Sequence, residues 1–232
     1  MIAVVLCGGK GTRLAPLTND IPKSLVPVQG KPIIEHILDL FYKYGIKNII
    51  LSVGYLKEKM KEHFSLNADI KFLEEDVPLG TAGPLKLLEK QGNFPKETFV
   101  MCNGDELKEI NVQKMIAFHK ESKALVTIAL TEVNDPSSYG VARMNGNRIS
   151  EFIEKPKKEE APSNLINSGF YIMEPEIIDF VPEGFASLER DVFPKVAKAG
   201  RLFAFPFKGQ WFPTDTFERL GKAEKEWKGI SV

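Results

Sequence analysis

The sequence predicts an α/β fold built on a mostly parallel sheet with helices on both faces. Three observations carry this. Through residues 1–130, apolar runs of strand length alternate with stretches whose apolar residues recur at helical spacing. Two strand-like runs, at 2–6 and 98–105, stop abruptly in the loops "CGGKGTR" and "NGDE". Ligands of such sheets sit beyond the carboxyl ends of strands, where these loops would lie. The later residues read differently, as hairpins, with Asn145-Gly146 as the turn signal.

Each element has its own warrant. "IAVVL" (2–6) is a buried-type strand. Residues 31–45 carry Ile33, Ile34, Ile37, Leu38, Leu40 and Phe41 at helical spacing, with Gly45 where a helix would end. A strand (47–54), an amphipathic helix (56–64), a strand (69–75) and a helix near 81–91 follow. The strand at 98–105 precedes a helix at 111–122 with Asn111 as N-cap, then a buried strand at 124–130. Residues 139–156 form the hairpin and 164–173 a further strand. A short helix begins near Pro175, and a helix bent at Pro194 spans 187–200. A strand (201–207) and a last helix (214–227) complete the order, the helix ending in a solvated face at "KAEKEWK". No linker rich in Gly, Ser or Pro interrupts the chain, so "KPKKEEAPS" (155–163) is a surface loop of one continuous domain.

The bulk chemistry excludes several partner classes. Of 232 residues, 31 are Lys or Arg and 31 Asp or Glu, so no net positive field favours nucleic acid or an anionic membrane. No stretch reaches the ~20 apolar residues of a membrane span, and the first residues do not read as a signal peptide. Cys7 and Cys102 fit no metal spacing and suit a reduced, cytoplasmic setting, where they would pack at strand ends. His36, His63 and His119 lie on amphipathic helices and read as surface or packing residues.

The opening loop has the composition of a phosphate site. Gly8, Gly9 and Gly11 let the backbone approach a ligand, and consecutive N–H groups can form an anion nest. Arg13 adds a fork of donors matched to phosphate oxygens, and Lys23, stiffened by Pro22, a second cation. The P-loop spacing is absent, and Leu14 stands where the last glycine of the dinucleotide fingerprint would be. From composition alone, a plain tight turn remains open beside a polyphosphate site.

"LCGGKGTRLAPLTNDIPKSLVPVQGKPIIEHIL" closely resembles the opening signature of the sugar-1-phosphate nucleotidyltransferases: G-G-x-G-T-R-L, a spacer, P-K, then G-K-P-x-I. Further matches follow in order: "PLGTAGPL" (78–85), "NGDEL" (103–107), "YGVARM" (139–144), "FIEKP" (152–156), "LINSGFYIM" (165–173), "SLERDVFP" (187–194) and "GQWFPTDT" (209–216). The resemblance covers nearly the whole chain. It implies a three-layer, Rossmann-like (GT-A-like), mostly parallel mixed sheet flanked by helices, with a hairpin-rich sugar-binding lobe. It implies a single domain over 1–232, with a nucleotide-binding half (1–132) and a sugar-phosphate-binding half (133–232).

The implied reaction joins a nucleoside triphosphate and a sugar 1-phosphate into a nucleoside-diphosphate sugar, releasing pyrophosphate. The resemblance gives Arg13 the leaving pyrophosphate and Lys23 the α-phosphate or the sugar phosphate. It places the nucleotide near Leu6, Gly8, Gly9, Gly11, Thr12, Asn103 and Gly104, with Gly80 and Thr81 in the loop that closes on base and ribose. Asp105 would hold Mg²⁺, a hard cation suited to carboxylate oxygen; Glu106 reads as a solvent-facing neighbour. Asp215 is either a second Mg²⁺ ligand or the N-cap of the last helix. It lies four residues after Trp211, whereas the common family ending has two and a following glycine. Lys155 resembles the lysine that binds the sugar's phosphate, Glu154 its partner for sugar hydroxyls, and Gly140 and Asn167 the sugar-contacting positions. Asn167 lies among apolar residues, so its amide needs partners, which sugar hydroxyls would supply.

Base and sugar are read by similarity alone. "PLTNDIPKSLVPVQGKPII" and "SLERDVFPKVAKAGRLFAF" look most like mannose-1-phosphate guanylyltransferases, which favours GTP and mannose 1-phosphate. Heptose-1-phosphate guanylyltransferases and glucose-1-phosphate cytidylyl- or thymidylyltransferases are the alternatives, "WFPTDT" pointing to the cytidylyl branch. From other classes, a non-catalytic nucleotide-binding regulator conflicts with intact Arg13, Lys23, Asp105 and Lys155. A glycosyltransferase lacks its D-x-D, since "NGDE" has no first aspartate. Many family members are dimers or larger, so a homo-oligomer is compatible with the resemblance.

Overall fold

The computed structural model describes residues 1–231. In chain order its elements are β1 (Ile2–Leu6), β2 (Pro27–Val28), β3 (Lys31–Pro32), α1 (Ile33–Lys43), β4 (Asn48–Val53), α2 (Lys57–His63), β5 (Ile70–Glu74), α3 (Gly83–Lys90), β6 (Phe99–Asn103), β7 (Glu106–Lys108), α4 (Val112–Glu121), β8 (Val126–Glu132), β9 (Gly140–Asn145), β10 (Arg148–Glu154), β11 (Leu165–Met173), α5 (Phe193–Lys198), β12 (Leu202–Pro206), β13 (Trp211–Pro213) and α6 (Phe217–Glu226). The chain sorts into two compact units. One comprises residues 1–78, 102–110 and 209–232, and the other 79–101 and 111–208. Among the described residues no helix is long and apolar enough to cross a membrane.

The first unit carries the parallel part of the fold. β4 lies between β1 and β5, and all run parallel, with Ile2 opposite Asn48 and Ile49 opposite Ile70. Parallel strands need long crossovers, and α1 and α2 supply them. Helix α1 buries Ile33, Ile34, Ile37, Leu38, Leu40 and Phe41. Each such side chain contributes about 1.5–3 kcal/mol on leaving water. The helix stops as its sequence predicts. Gly45 takes φ 71°, its N–H bonds the Tyr42 carbonyl, and the Ile46 N–H bonds that of Phe41. This is the double bond of a Schellman end. Two small antiparallel pairs, β2 with β3 and β7 with β13, are too short to show a period in sequence.

The second unit holds the mixed sheet. β8 and β12 run parallel, while β8–β11, β10–β12, β9–β10 and β9–β11 are antiparallel. The order β11-β8-β12-β10-β9 closes on itself through the β9–β11 pairing. The hairpin turns as expected, with Asn145 opposite Arg148 and Gly146 at φ 59°. Helix α4 packs against β8, β11 and β12, and α5 against β10 and β12. The Asn111 side chain accepts from the Lys114 N–H at 2.9 Å, capping α4.

Several local expectations are corrected. Residues 187–200 are not one bent helix: a π-turn over Leu188–Val192 leads into α5, and Pro194 is its second residue. A proline fits that first turn because its missing N–H would be unpaired there anyway. The chain after α6 is not solvated throughout. Trp227 is buried, edge-on to His36 at 5.9 Å and Phe212 at 6.1 Å, and its Nε1–H donates to His36 Nδ1. Thr216, not Asp215, is the N-cap of α6; its hydroxyl accepts from the Arg219 N–H at 3.3 Å.

Candidate active site

In the first unit, the loop after β1 gathers a set of charges. Gly11 sits at φ 62° and starts a 3-10 turn at Thr12–Leu14; its carbonyl accepts from the Thr18 hydroxyl at 2.8 Å. The turn buries Leu14 and leaves Arg13 largely outside, its side chain 67% exposed. Arg13 nonetheless has a partner: its Nη1 lies 2.5 Å from Asp215 Oδ2. Arg219, one turn along α6, bonds the other oxygen of Asp215 at 2.8 Å. Burial pushes the Asp215 carboxyl up, but the Arg219 bond and the charges of Arg219, Arg13 and Lys23 outweigh it, and its pKa falls below the usual value.

Lys23 stands in the 3-10 turn Lys23–Leu25, mostly buried, with its Nζ on Asp105 Oδ2. Asp105 follows β6 as predicted, and Gly104 donates its N–H to the Leu6 carbonyl at 2.9 Å. That bond joins the Leu6–Gly9 loop to the Asn103–Asp105 loop. Thr214 bonds the Asp105 carbonyl through its hydroxyl at 2.8 Å and its N–H at 3.3 Å. Hence Asp105 and Asp215 flank strands paired side by side, β7 and β13, and Lys23 acts on both.

Glu106 does not face solvent. Its side chain is mostly buried, accepting from Asn103 Nδ2 at 3.0 Å and Trp211 Nε1 at 2.8 Å, with Lys108 Nζ at 3.7 Å. Burial raises its pKa against the Lys108 charge. Cys7 and Cys102 are both buried, which pushes each thiol up to about 12, so neither is a thiolate nucleophile. His36 bonds the Val28 carbonyl, His63 pairs with Glu35, and His119 is buried between Thr127 and Glu174.

Glu75, at the end of β5, was not legible as a site residue. It is nearly buried, accepts from the Ser52 hydroxyl at 2.7 Å, and lies so close to Gly8 that a Cβ there would stand 2.9 Å from its Oε1. A carboxylate under the first glycine of the loop is a tertiary fact: the residues are 67 positions apart.

In the second unit, β-pairing assembles the residues matched to sugar contacts. Glu154 is opposite Gly140, and Ile166 opposite Val141, which brings Asn167 to the same end. Lys155 follows at φ 51°, donating its N–H to the Tyr139 carbonyl, with its Nζ 3.8 Å from Glu154. A bulky residue in this left-handed conformation is uncommon and marks a constrained site. The Asn167 amide finds partners in the chain rather than only in a ligand. Its oxygen accepts from the Gly169 N–H and its nitrogen donates to the Tyr171 hydroxyl, both at 2.9 Å, across a bulge in β11.

Glu189 centres this cluster and was not singled out from sequence. Its carboxylate accepts from Thr81 at 2.6 Å, Ser187 at 2.8 Å and the Tyr171 hydroxyl at 3.5 Å. Thr81 in turn accepts from the Leu188 N–H at 2.8 Å. Gly80 beside it has φ 76°, and a Cβ there would overlap the Ala186 carbonyl, so only glycine fits. Burial, then the charge of Glu189, raises the Glu154 pKa.

The family described as "Nucleotidyl transferase" matches residues 2–228. The chain is 38% identical to mannose-1-phosphate guanyltransferase beta-B of Xenopus laevis over 91% of its length, spanning 60% of that relative. It is 34% identical to a probable glucose-1-phosphate cytidylyltransferase of Bacillus subtilis (strain 168), covering 98% of this chain and 96% of the relative. Among solved structures, HddC from Yersinia pseudotuberculosis complexed with GMP-PN superposes with a TM-score of 0.81 at 30% identity, covering 98% and 99%. A Bacillus anthracis protein described as a putative glucose-1-phosphate thymidylyltransferase gives 0.87 at 24% identity over 100% and 97%, a likeness of fold.

Proposed function

We propose a reaction for this chain from the premise that it belongs to the nucleotidyl transferase family: transfer of a guanylyl group from GTP to a sugar 1-phosphate, with mannose 1-phosphate the favoured acceptor, and release of pyrophosphate. The observation that carries the reading is the charge cluster around the first loop. Arg13, Lys23, Asp105 and Asp215 meet there with Gly8–Gly11 and Gly104.

A phosphate oxygen of the sugar phosphate attacks the α-phosphorus in line; the bond to the bridging oxygen breaks and pyrophosphate leaves. The nucleophile is already an anion, so the chain need not supply a base. It must position the reactants and neutralise charge. Arg13 is suited to the pyrophosphate. Its ion pair with Asp215 is solvent-exposed on the arginine side and costs little to exchange. Lys23 takes the α-phosphate or the sugar phosphate. In the second unit, Lys155 takes the sugar's phosphate, while Glu154, Asn167 and Gly140 meet its hydroxyls. Gly80 and Thr81 shape the loop that the resemblance assigns to base and ribose.

Among the described residues no group of three or more His, Cys, Asp or Glu is placed to hold a metal. The oxygen donors present nevertheless fit Mg²⁺, which is held by one or two carboxylates together with substrate phosphates. Asp105 and Asp215 would be those carboxylates, and the ion would offset the triphosphate's charge.

Glu75 supports guanine. An ionised carboxylate only accepts, and guanine presents N1–H and the 2-amino group side by side. Uracil and thymine flank one N–H with two carbonyls, and cytosine sets an acceptor beside its amine, so each would meet repulsion. Similarity to relatives described as mannose-1-phosphate guanyltransferases supports the same base and the sugar. The cytidylyl reading keeps one observation in its favour, the Trp211–Asp215 spacing.

Pyrophosphate release with the four NTPs against mannose, glucose and heptose 1-phosphates tests the proposal. GTP with mannose 1-phosphate is expected to be fastest, and Glu75→Gln to narrow the GTP preference by about tenfold, the weight of a lost charged hydrogen bond. A faster rate with CTP in the native chain would replace the guanylyl reading; no release with any pair would leave a binding protein.

A further inference from the structure

We propose that Glu106 is a positioning residue that locks the Asn103 amide with its carbonyl oxygen turned outward, as the acceptor for a ribose hydroxyl. This rests on reading the Gly8–Asp105 cluster as the nucleotide site. Both side-chain oxygens of Glu106 are engaged as acceptors: one by Asn103 Nδ2, the other by Trp211 Nε1. Asn103 must therefore present its NH₂ to Glu106, and its Oδ1 lies on the other side of the planar amide. Among the described residues no protein donor reaches that oxygen, and no buried side-chain N or O lacks a partner. The oxygen is therefore open to solvent.

Its place in the fold selects its partner. Asn103 ends β6, directly before Gly104, whose N–H bonds Leu6 at the tip of β1. A bound triphosphate has few donors: ionised phosphates only accept, leaving the base N–H groups and the ribose hydroxyls. Glu75, against Gly8, is the acceptor that the guanylyl reading assigns to the base. The hydroxyls remain for Asn103. Trp211 extends the same lock to β13, so one buried carboxylate sets the amide and ties down the strand that leads to Asp215.

Calorimetric binding of GTP, 2′-deoxy-GTP and 3′-deoxy-GTP to the full chain with Mg²⁺ tests this. The native chain should bind GTP about tenfold more tightly than at least one deoxy form, the weight of one hydrogen bond. Glu106→Gln keeps the shape: its carboxamide oxygen can still accept from Trp211, but its NH₂ then faces Asn103 and turns that amide over. It should weaken GTP about tenfold and erase the discrimination. The half-buried Asn103→Ala should do the same whether or not Glu106→Gln folds, and the double variant should lose no more than either single one. Equal weakening of GTP and both deoxy forms by Glu106→Gln, or discrimination retained in Asn103→Ala, would overturn the assignment while the nucleotide site stands. A native chain that binds no nucleoside triphosphate overturns the site and this assignment together.

Discussion

The two clusters hold their carboxylates in opposite ways. In the first unit Asp105 is paired with Lys23, and Asp215 with Arg13 and Arg219. In the second, Glu189 is held by three neutral hydroxyls, and Glu154 beside it has its pKa raised. Phosphates bring charge, so a site for them needs cations that can exchange one anion for another at small cost. Sugar hydroxyls bring both donors and acceptors but no charge, so a site for them needs fixed geometry and a few oriented acceptors. The contrast predicts that damage to the first cluster falls on turnover, and damage to the second on substrate affinity and stability.

The largest effect should come from Arg13→Ala. Removing a cation that meets charge developing in the transition state costs about 100- to 1,000-fold in kcat. The exposed side chain should leave the melting temperature within a degree or two. Asp105→Asn should lower the Mg²⁺-dependent rate at least as far. Steady-state kinetics beside a thermal melt would break the comparison if Arg13→Ala lost stability and kept its rate.

The first cluster was far more legible than the second. Its glycines, Arg13 and Lys23 lie within sixteen positions, so local spacing carried the signal. Asp105 was marked by the sharp end of a strand. Glu75 and Glu106 were missed or misjudged because their roles depend on what packs over them, Gly8 in one case and Trp211 in the other. Glu189 sat in a motif legible only by likeness, and the π-turn that presents it has no sequence period. Strands β7 and β13, at three residues each, left no alternation to read, yet they align Asp105 with Asp215. Cap chemistry was legible at Asn111 and Gly45, but a one-residue ambiguity hid Thr216 behind Asp215.

Glu189→Ala should show the reverse pattern. It strands the hydroxyls of Thr81, Ser187 and Tyr171, at a cost of about 1–3 kcal/mol if they stay dry. The melting temperature should fall by several degrees. The KM for the sugar 1-phosphate should rise about tenfold with kcat changed less, since Asn167 loses its anchor through Tyr171. Equal loss in kcat and no shift in KM would move Glu189 from the sugar's side to the chemistry.

The smallest effect tests whether the second unit tolerates charge at all away from its site. His119 is buried, its ring nitrogens on Thr127 at 2.7 Å and Glu174 at 3.1 Å, and Thr98 bonds the same Glu174 oxygen. Burial lowers its pKa; Glu174 opposes this without overcoming it. With the folded pKa below the unfolded one, the neutral ring's contribution is complete above about pH 6.5. It is lost as pH falls from there through the folded value, because the unfolded chain takes up the proton first. The slope cannot exceed about 1.4 kcal/mol per pH unit for one proton. Glu106 and Glu154, with raised values, act in the opposite direction, and Asp215, with a lowered one, acts only at more acid pH. The difference between the native chain and His119→Gln isolates the histidine: urea midpoints from pH 7.5 to 5 should fall more steeply in the native chain. Parallel lines would mean that Glu174 compensates a charged ring fully, and that the second unit handles charge as the first does.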